Sequence, residues 1–228
     1  MSYTRRTLLL GGIASITSLA LSEVAGAISP DINHGSRSSE KVALTFHGAG
    51  DPTLASALLK IFRETSTPVT VFAVGTFLKA NPSFAKEIVD AGHDLGNHTM
   101  THTQMKTISA KSVDQEISQC AELLNKLIGN HGSFFRPSGT QFSNALIRKS
   151  AKKFGYQNCI SYDVDSKDYL DPGKEAVISN VTNGAKSGSI ISLHFGHKNT
   201  VAAMPSIIEN LNTKGLKPVT LTELINTK

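Results

Sequence analysis

The sequence predicts an α/β fold in which helices cover a parallel sheet. Short apolar runs alternate with helical patterns about seven times within 228 residues, and this alternation is typical of parallel sheets. With 39% hydrophobic and 18% charged residues, the composition excludes disordered, collagen-like and coiled-coil chains. The chain carries neither of the glycine-rich motifs that bind nucleotides. An open doubly wound sheet and a closed barrel both satisfy the pattern.

The N-terminus predicts an exported protein. Arg5 and Arg6 precede an apolar stretch over residues 8–21, and Ala25-Gly26-Ala27 offers a small-residue cleavage site. This layout is typical of a bacterial signal peptide of the twin-arginine type over residues 1–27. The alternative is an anchor that stays uncleaved in the membrane. Polar residues 28–40 predict a linker to a single domain over residues 41–228, with no stable membrane partner after cleavage.

Each element follows from its local pattern. The predicted strands are residues 42–46, 69–74, 93–97, 134–135, 158–162 and 189–194, and residues 219–225 close the domain. The predicted helices lie around residues 54–62, 82–91, 110–128, 146–154, 174–186 and 204–211. Gly129 predicts the end of the longest helix, and Gly155 and Gly215 predict the ends of two others. Cys120 and Cys159 are predicted either to pair or to remain two buried thiols.

Polar residues gather where the predicted strands end. The clusters are His47 to Asp51, Asn97 to His102, Arg136 to Gly139, Asp163 to Asp168, and His194. In parallel α/β folds the carboxyl ends of the strands meet on one face, where active sites form. The net charge of +5 comes without a basic stripe interleaved with aromatic residues, so we expect no nucleic-acid partner.

The spacing of His98 and His102 indicates a metal site. Two histidines four residues apart can face one ion if the segment is helical or folds back in a turn. A carboxylate from the same face would complete a catalytic set, and zinc suits such ligands best among divalent metals. The alternative is an ordinary pair of polar contacts. A metalloprotease would have Glu after the first His, where this chain has Thr99.

Five segments together resemble the NodB-homology polysaccharide deacetylases, carbohydrate esterase family 4, over about residues 41–225. The segment from His98 to His102 fits the family's H-[ST]-x-x-H motif, and Arg136-Pro137 resembles its R-x-P motif. Asp165-Ser166-Lys167-Asp168-Tyr169 is similar to D-x-x-D-W, with Tyr in place of Trp. Leu193-His194 matches L-H-D except that Phe195 replaces Asp, and residues 219–224 resemble the closing V-T-L-x-E-L. The resemblance implies a distorted (β/α) barrel of about seven strands.

The first motif departs from the family's T-F-D-D-G-P. His47 stands where the resemblance implies the catalytic base, and Gly48 stands where it implies a carboxylate metal ligand. In one interpretation the loop is longer and Asp51, before Pro52, reaches the metal. In the other the carboxylate ligand is lost, and the protein is a carbohydrate-binding pseudoenzyme of the cell wall.

The resemblance implies hydrolysis of N-acetyl or O-acetyl groups on a polysaccharide such as peptidoglycan or chitin. A divalent metal, most simply Zn²⁺, would be held by His98, His102 and Asp51. His47 would act as base and His194 as general acid. Arg136 and Asp165 match family positions that hold the base and the histidine. With His47 as base, Arg136 would have no carboxylate to orient, and would be free for Asp51 or a substrate carboxylate.

Overall fold

The computed structural model describes residues 30–132 and 134–226. The predicted signal peptide lies outside these residues. Within them, no helix combines the length and the apolar character needed to cross a bilayer.

Six strands and eight α-helices follow one another along the described chain. The strands are β1 (Lys41–Gly48), β2 (Thr70–Ala73), β3 (Asp94–Asn97), β4 (Val164–Asp165), β5 (Ile190–His194) and β6 (Lys217–Val219). The helices are α1 (Pro52–Glu64), α2 (Gly75–Ala80), α3 (Ser83–Asp90), α4 (Ala110–Ile128), α5 (Ala145–Lys153), α6 (Lys174–Gly184), α7 (Lys198–Thr213) and α8 (Leu221–Asn226). A short 3₁₀ turn, Asp168–Leu170, follows β4.

All the paired strands are parallel, in the order β3-β2-β1-β5-β4, and β6 also pairs with β1. The central strand β1 is buried on both faces, as expected for a parallel sheet with helices on it. On one side Phe46 packs between Phe62 of α1 and Phe195, with ring centroids 5.1 and 5.5 Å away. The register sets His47 opposite His194, so two polar side chains share the same level at the carboxyl ends of β1 and β5.

The predicted α/β class is confirmed, and the details differ at three places. Predicted strands 134–135 and 158–162 form only single-residue bridges, from Asn97 to Phe135 and from Phe135 to Cys159. These bridges continue strand-like contacts from β3 towards β4, but the six-stranded sheet does not close into a barrel. Helix α2 was not predicted, because its six residues are too short to show a helical period. Residues 221–226 of the closing segment form α8.

The described part of the predicted linker packs against the domain. Ile32 forms a parallel bridge with Ile160, and the buried carboxylate of Asp31 binds the guanidinium of Arg148 at 3.3 Å. Arg37 binds Asp163 at 2.7 Å, just before β4 begins. Residues 31–37 therefore fix the chain that carries β4 and the polar residues after it.

The two cysteines are both buried and free. Burial raises the pKa of the Cys120 thiol to about 12, so this thiol stays protonated and packs as a small apolar group. Of the two predicted states, a disulfide or two buried thiols, the structure shows two buried thiols.

Candidate active site

A cavity of about 400 Å³ opens at the carboxyl ends of β1 and β5. Its lining brings together four of the predicted polar clusters with aromatic residues from the segment around β4. The lining residues are His47, His98, His102, Gln104, Pro137, Gly139, Thr140, Gln141, Tyr162, Tyr169 and His194. The site thus lies on the face predicted from the strand ends.

The half-buried imidazole of His47 and the buried imidazole of His98 form the floor of the cavity. The ring centroids of His47 and His98 are 4.4 Å apart, and the Nε2 atom of each ring is buried without a hydrogen-bond partner among the described residues. Burial, and then the charge of neighbouring imidazoles, holds the pKa of both rings well below the ordinary value. Both rings are therefore neutral near pH 7.

His98 is fixed in one orientation by its other nitrogen. Its Nδ1 donates to the main-chain oxygen of Arg136 at 2.8 Å, so that Nε2 carries the free lone pair. A hydrogen bond of this kind, from one ring nitrogen to a carbonyl, is what orients a metal-binding histidine.

The loop after β3 places His102 near His98 without a helix. Thr99 and His102 both have positive φ, 69° and 60°, so the chain turns back on itself between the two histidines. The Thr99 hydroxyl donates to Ser138, and its amide donates to the Asn97 side chain at 2.8 Å. The His102 ring lies 5.0 Å from that of His98 and remains exposed. The predicted pairing by a turn is therefore what the structure shows.

A histidine–carboxylate pair lies beside these imidazoles, with the His194 ring centroid 4.4 Å from that of His47. The Nδ1 atom of His194 donates to Asp168 Oδ1 at 2.7 Å, and its amide donates to Oδ2 at 2.8 Å. The Thr200 hydroxyl, from the start of α7, also donates to Oδ2, at 2.6 Å. Burial by itself would raise the pKa of Asp168, but the hydrogen bonds and charge of His194 and the hydroxyl of Thr200 outweigh it and lower the pKa. Asp168 is thus held as a carboxylate that fixes the proton of His194 on Nδ1.

The partner of His194 is Asp168, which corrects the assignment of that role to Asp165. The carboxylate of Asp165 accepts from the amide of Lys167 at 2.9 Å and lies beside Tyr169, whose pKa its charge raises. Both aspartates belong to the same D-x-x-D segment, and only the left-handed turn at Lys167 decides which one reaches the histidine. Thr200 also binds Asp168, but it lies 32 residues further along the chain and no motif in the sequence indicated that it belongs to the site.

Arg136 is a buried cation beside the imidazoles. Its Nη2 donates to the Ser161 oxygen at 3.0 Å, its guanidinium lies 4.2 Å from the Phe72 ring centroid, and Nη1 has no partner among the described residues. Burial lowers the pKa of Arg136 to about 9. None of the described carboxylates forms an ion pair with it.

Asp51 stands apart from the histidines, against the interpretation in which it reaches the metal. Its exposed carboxylate caps α1 by accepting from the Thr53 amide at 2.7 Å, and it does not line the cavity. The loop cannot easily fold inward, because Gly50 packs against the main chain of Gly196. The start of α1 directly at Pro52 leaves no extra loop length.

The donor chemistry at the site fits a divalent metal, but the set differs from one carboxylate and two histidines. Among residues 30–132 and 134–226, no three histidine, cysteine or acidic side chains already converge as a metal site. Two imidazoles nevertheless have buried Nε2 atoms without a partner among the described residues, and a bound ion is one of the ordinary explanations for such atoms. His47, His98 and His102 are the side chains that would hold a metal here.

Comparison with known proteins shows the family of the chain. The sequence profile of the family described as polysaccharide deacetylase matches residues 34–159. The chain belongs to the polysaccharide deacetylase family. It is 33% identical over 191 residues to a peptidoglycan-N-acetylglucosamine deacetylase of Bacillus cereus, covering 82% of this chain and 89% of that protein. It is 32% identical over 168 residues to a chitooligosaccharide deacetylase of Azorhizobium caulinodans, covering 72% and 77%.

Among solved structures, the fold is similar to a carbohydrate esterase family 4 pseudoenzyme from Bacillus anthracis. The TM-score is 0.79 with 27% identity, over 85% of this chain and 68% of that one. The family therefore contains deacetylases and a protein described as a pseudoenzyme, on the same fold.

Proposed function

We propose that this protein hydrolyses acetyl groups, N-linked or O-linked, on an acetylated polysaccharide of the peptidoglycan or chitin type. One observation carries the proposal: His194, backed by the buried carboxylate of Asp168, faces a cavity that it shares with neutral imidazoles. The names of the two curated relatives, which act on peptidoglycan and on chitooligosaccharide, supply the substrate class.

His194 is the group best placed to move protons. With Nδ1 donating to Asp168, its Nε2 has a free lone pair, and the carboxylate stabilises the imidazolium that forms when Nε2 takes a proton. We propose that His194 takes a proton from the attacking water as the water oxygen bonds to the acetyl carbon. The same proton then passes to the leaving nitrogen or oxygen as its bond to that carbon breaks, which yields acetate and the free amine or hydroxyl.

His47 was predicted as the base, and that role stays a prediction. Its lowered pKa counts against it, because a base with a depressed pKa holds an abstracted proton weakly near pH 7. A divalent ion held by the imidazoles supplies, when bound, activation of water and polarisation of the carbonyl.

The test is acetate release from chitooligosaccharides and peptidoglycan fragments, measured with and without added Zn²⁺. We expect release by the wild type and loss of about 10²–10⁴-fold in His194→Gln, the range typical of general acid–base catalysis. The exposed His34 provides the matched control, and His34→Gln should retain activity. Equal rates in the wild type and His194→Gln would refute the assignment of His194.

A second candidate function is carbohydrate binding without turnover. It is favoured by the loss of both first-motif carboxylates, to His47 and Gly48, and by the lack of an ion pair at Arg136 among the described residues. Binding of the same oligosaccharides, with no acetate released at any metal concentration, would establish this function instead.

We also propose export by the twin-arginine route, supported by Arg5, Arg6 and the residues that follow them. Replacing both with Lys should keep the protein in the cytoplasm while leaving charge and length unchanged. Export of the double variant at the wild-type level would count against this route.

A further inference from the structure

Four carboxylates belong to the segments around the site, and each is already bound to another group; Asp165 accepts from the Lys167 amide at 2.9 Å. Asp168 accepts from His194 and Thr200, and Asp51 caps α1. Glu116 of α4 accepts from the hydroxyl and the amide of Thr101, at 2.6 and 2.8 Å. None of them is free to act as the third ligand beside His98 and His102.

Position 48 cannot easily supply a carboxylate either. A Cβ atom at Gly48 would lie 2.8 Å from Cγ1 of Val71 and 3.1 Å from the Cα atom of Ala73. The first contact is shorter than real Cβ contacts, and Val has little freedom to move away. The neighbouring strand β2 therefore occupies the space that a longer side chain would need.

Apart from His194, whose Nδ1 is bound to Asp168, His47 is the remaining donor. It precedes Gly48 on β1, its Nε2 is buried without a partner among the described residues, and its ring lies 4.4 Å from that of His98. His98 in turn lies 5.0 Å from His102. With metal–nitrogen bonds of about 2.0–2.1 Å, two imidazoles on one ion have centroids roughly 4.5–5.2 Å apart.

We propose that His47 is a metal ligand, which replaces the family's carboxylate and gives a site of three imidazoles, His47, His98 and His102. The three side chains do not converge as they stand, so metal binding at this site requires the exposed His102 ring to rotate inward. This inference rests on the metal in the proposed function. It has a consequence for charge: the ligand set is neutral, so the ion keeps both its positive charges, and Arg136 beside it adds a third.

The first test is metal binding by the full-length protein, measured as zinc stoichiometry by elemental analysis and as affinity by chelator competition. We expect one Zn²⁺ per chain and a loss of at least about 100-fold in affinity in His47→Ala. The matched control is Asp51→Asn, which keeps a side-chain oxygen for the helix cap and should retain wild-type affinity. Wild-type affinity in His47→Ala, loss in Asp51→Asn, or a wild type that binds no zinc would each overturn the inference.

The second test reads the ligands directly. X-ray absorption at the zinc edge should show scattering from three imidazoles in the wild type and from two in His47→Asp. That variant restores a carboxylate and should still bind zinc, which guards against a folding defect in His47→Ala. Two imidazoles in the wild type would refute the inference.

These outcomes are separable from those of the proposed function. Metal held by His47 without acetate release would refute the hydrolase and leave the ligand set in place. Acetate release by the wild type, together with zinc that stays bound in His47→Ala, would support the hydrolase and refute His47 as a metal ligand.

Discussion

The neutral imidazoles in the floor of the cavity predict a stability that falls in mild acid. The perturbation is a change from pH 6.5 to 5 in protein treated with a chelator. In the unfolded chain each histidine gains a proton below its ordinary pKa of about 6.5. In the folded chain His47 and His98 stay neutral, because burial holds their pKa well below that value.

The sign and size follow from proton linkage. The unfolded state binds more protons than the folded state below pH 6.5, so stability decreases as pH falls, until the folded pKa values are reached. The limiting slope is about 1.4 kcal/mol per pH unit for each such histidine; between pH 6 and 5 each contributes about 1.2 kcal/mol, and the pair contributes about 2.4 kcal/mol. Because a domain has only about 5–15 kcal/mol of total stability, this loss is large.

Other groups at the cavity affect the same window. Burial, and then the charge of His194, also lowers the pKa of His102, which adds to the slope. The cationic Arg136 faces both His47 and His98 and disfavours their protonation further. The carboxylate of Asp168 does not contribute there, since its lowered pKa places its titration below about 3.8.

The assay is urea unfolding followed by far-ultraviolet circular dichroism, because the chain has no tryptophan to serve as a fluorescent probe. The slope of unfolding free energy against pH should fall by about 1.4 kcal/mol per pH unit in His47→Gln. His34→Gln measures the effect of losing an exposed imidazole. An unchanged slope in both His47→Gln and His98→Gln would refute the reasoning.

Three further predictions concern single side chains. Asp168→Asn should reduce acetate release about 10²-fold, because His194 loses its carboxylate partner. Asp165→Asn should stay within a few-fold of the wild-type rate in the same assay, and similar losses in both variants would restore Asp165 as the partner of His194. Gly50→Ala should lower the free energy of unfolding by well over the roughly 1 kcal/mol expected for Gly92→Ala. Both glycines have positive φ, but only a Cβ at Gly50 would lie 2.6 Å from another main-chain atom, and equal melting temperatures of the two variants would contradict this. Tyr156→Phe should lower unfolding free energy by about 1–3 kcal/mol, because the amide of Asn97 and the oxygen of His131 lose a buried partner; no change in urea midpoint would show that water replaces the hydroxyl.

Much of the fold was predictable because its signals are local. The longest helix was predicted at residues 110–128, where α4 lies, from its apolar face and from Gly129 at its end. In the structure Gly129 has a positive φ of 78°, and the Ser109 side chain caps the other end. The segments around Phe135 and Cys159 were less predictable. The apolar side chains of these segments indicate that they are buried. Whether a buried segment forms a full ladder of β-sheet hydrogen bonds or only a single bridge depends on the strand beside it.

The site was predictable in its location and less so in its partners. Strand-end positions brought His47, His98 and His194 together, because the carboxyl ends of parallel strands share one face. The roles of Asp51, Asp165 and Asp168 could not be settled in the same way. Each is a carboxylate near a motif, and its role depends on whether a main-chain amide or an imidazole is closer in space.

The sequence by itself determined the α/β class, the family and the histidines at the strand ends, because these depend on residue type and spacing along the chain. Only the tertiary structure decided which carboxylate pairs with His194 and which nitrogen atoms remain free. Those outcomes depend on contacts between residues far apart in sequence, such as Asp168 with Thr200 and Gly48 with Val71. Distances of this kind are fixed by packing of the whole sheet against its helices, and no local pattern encodes them.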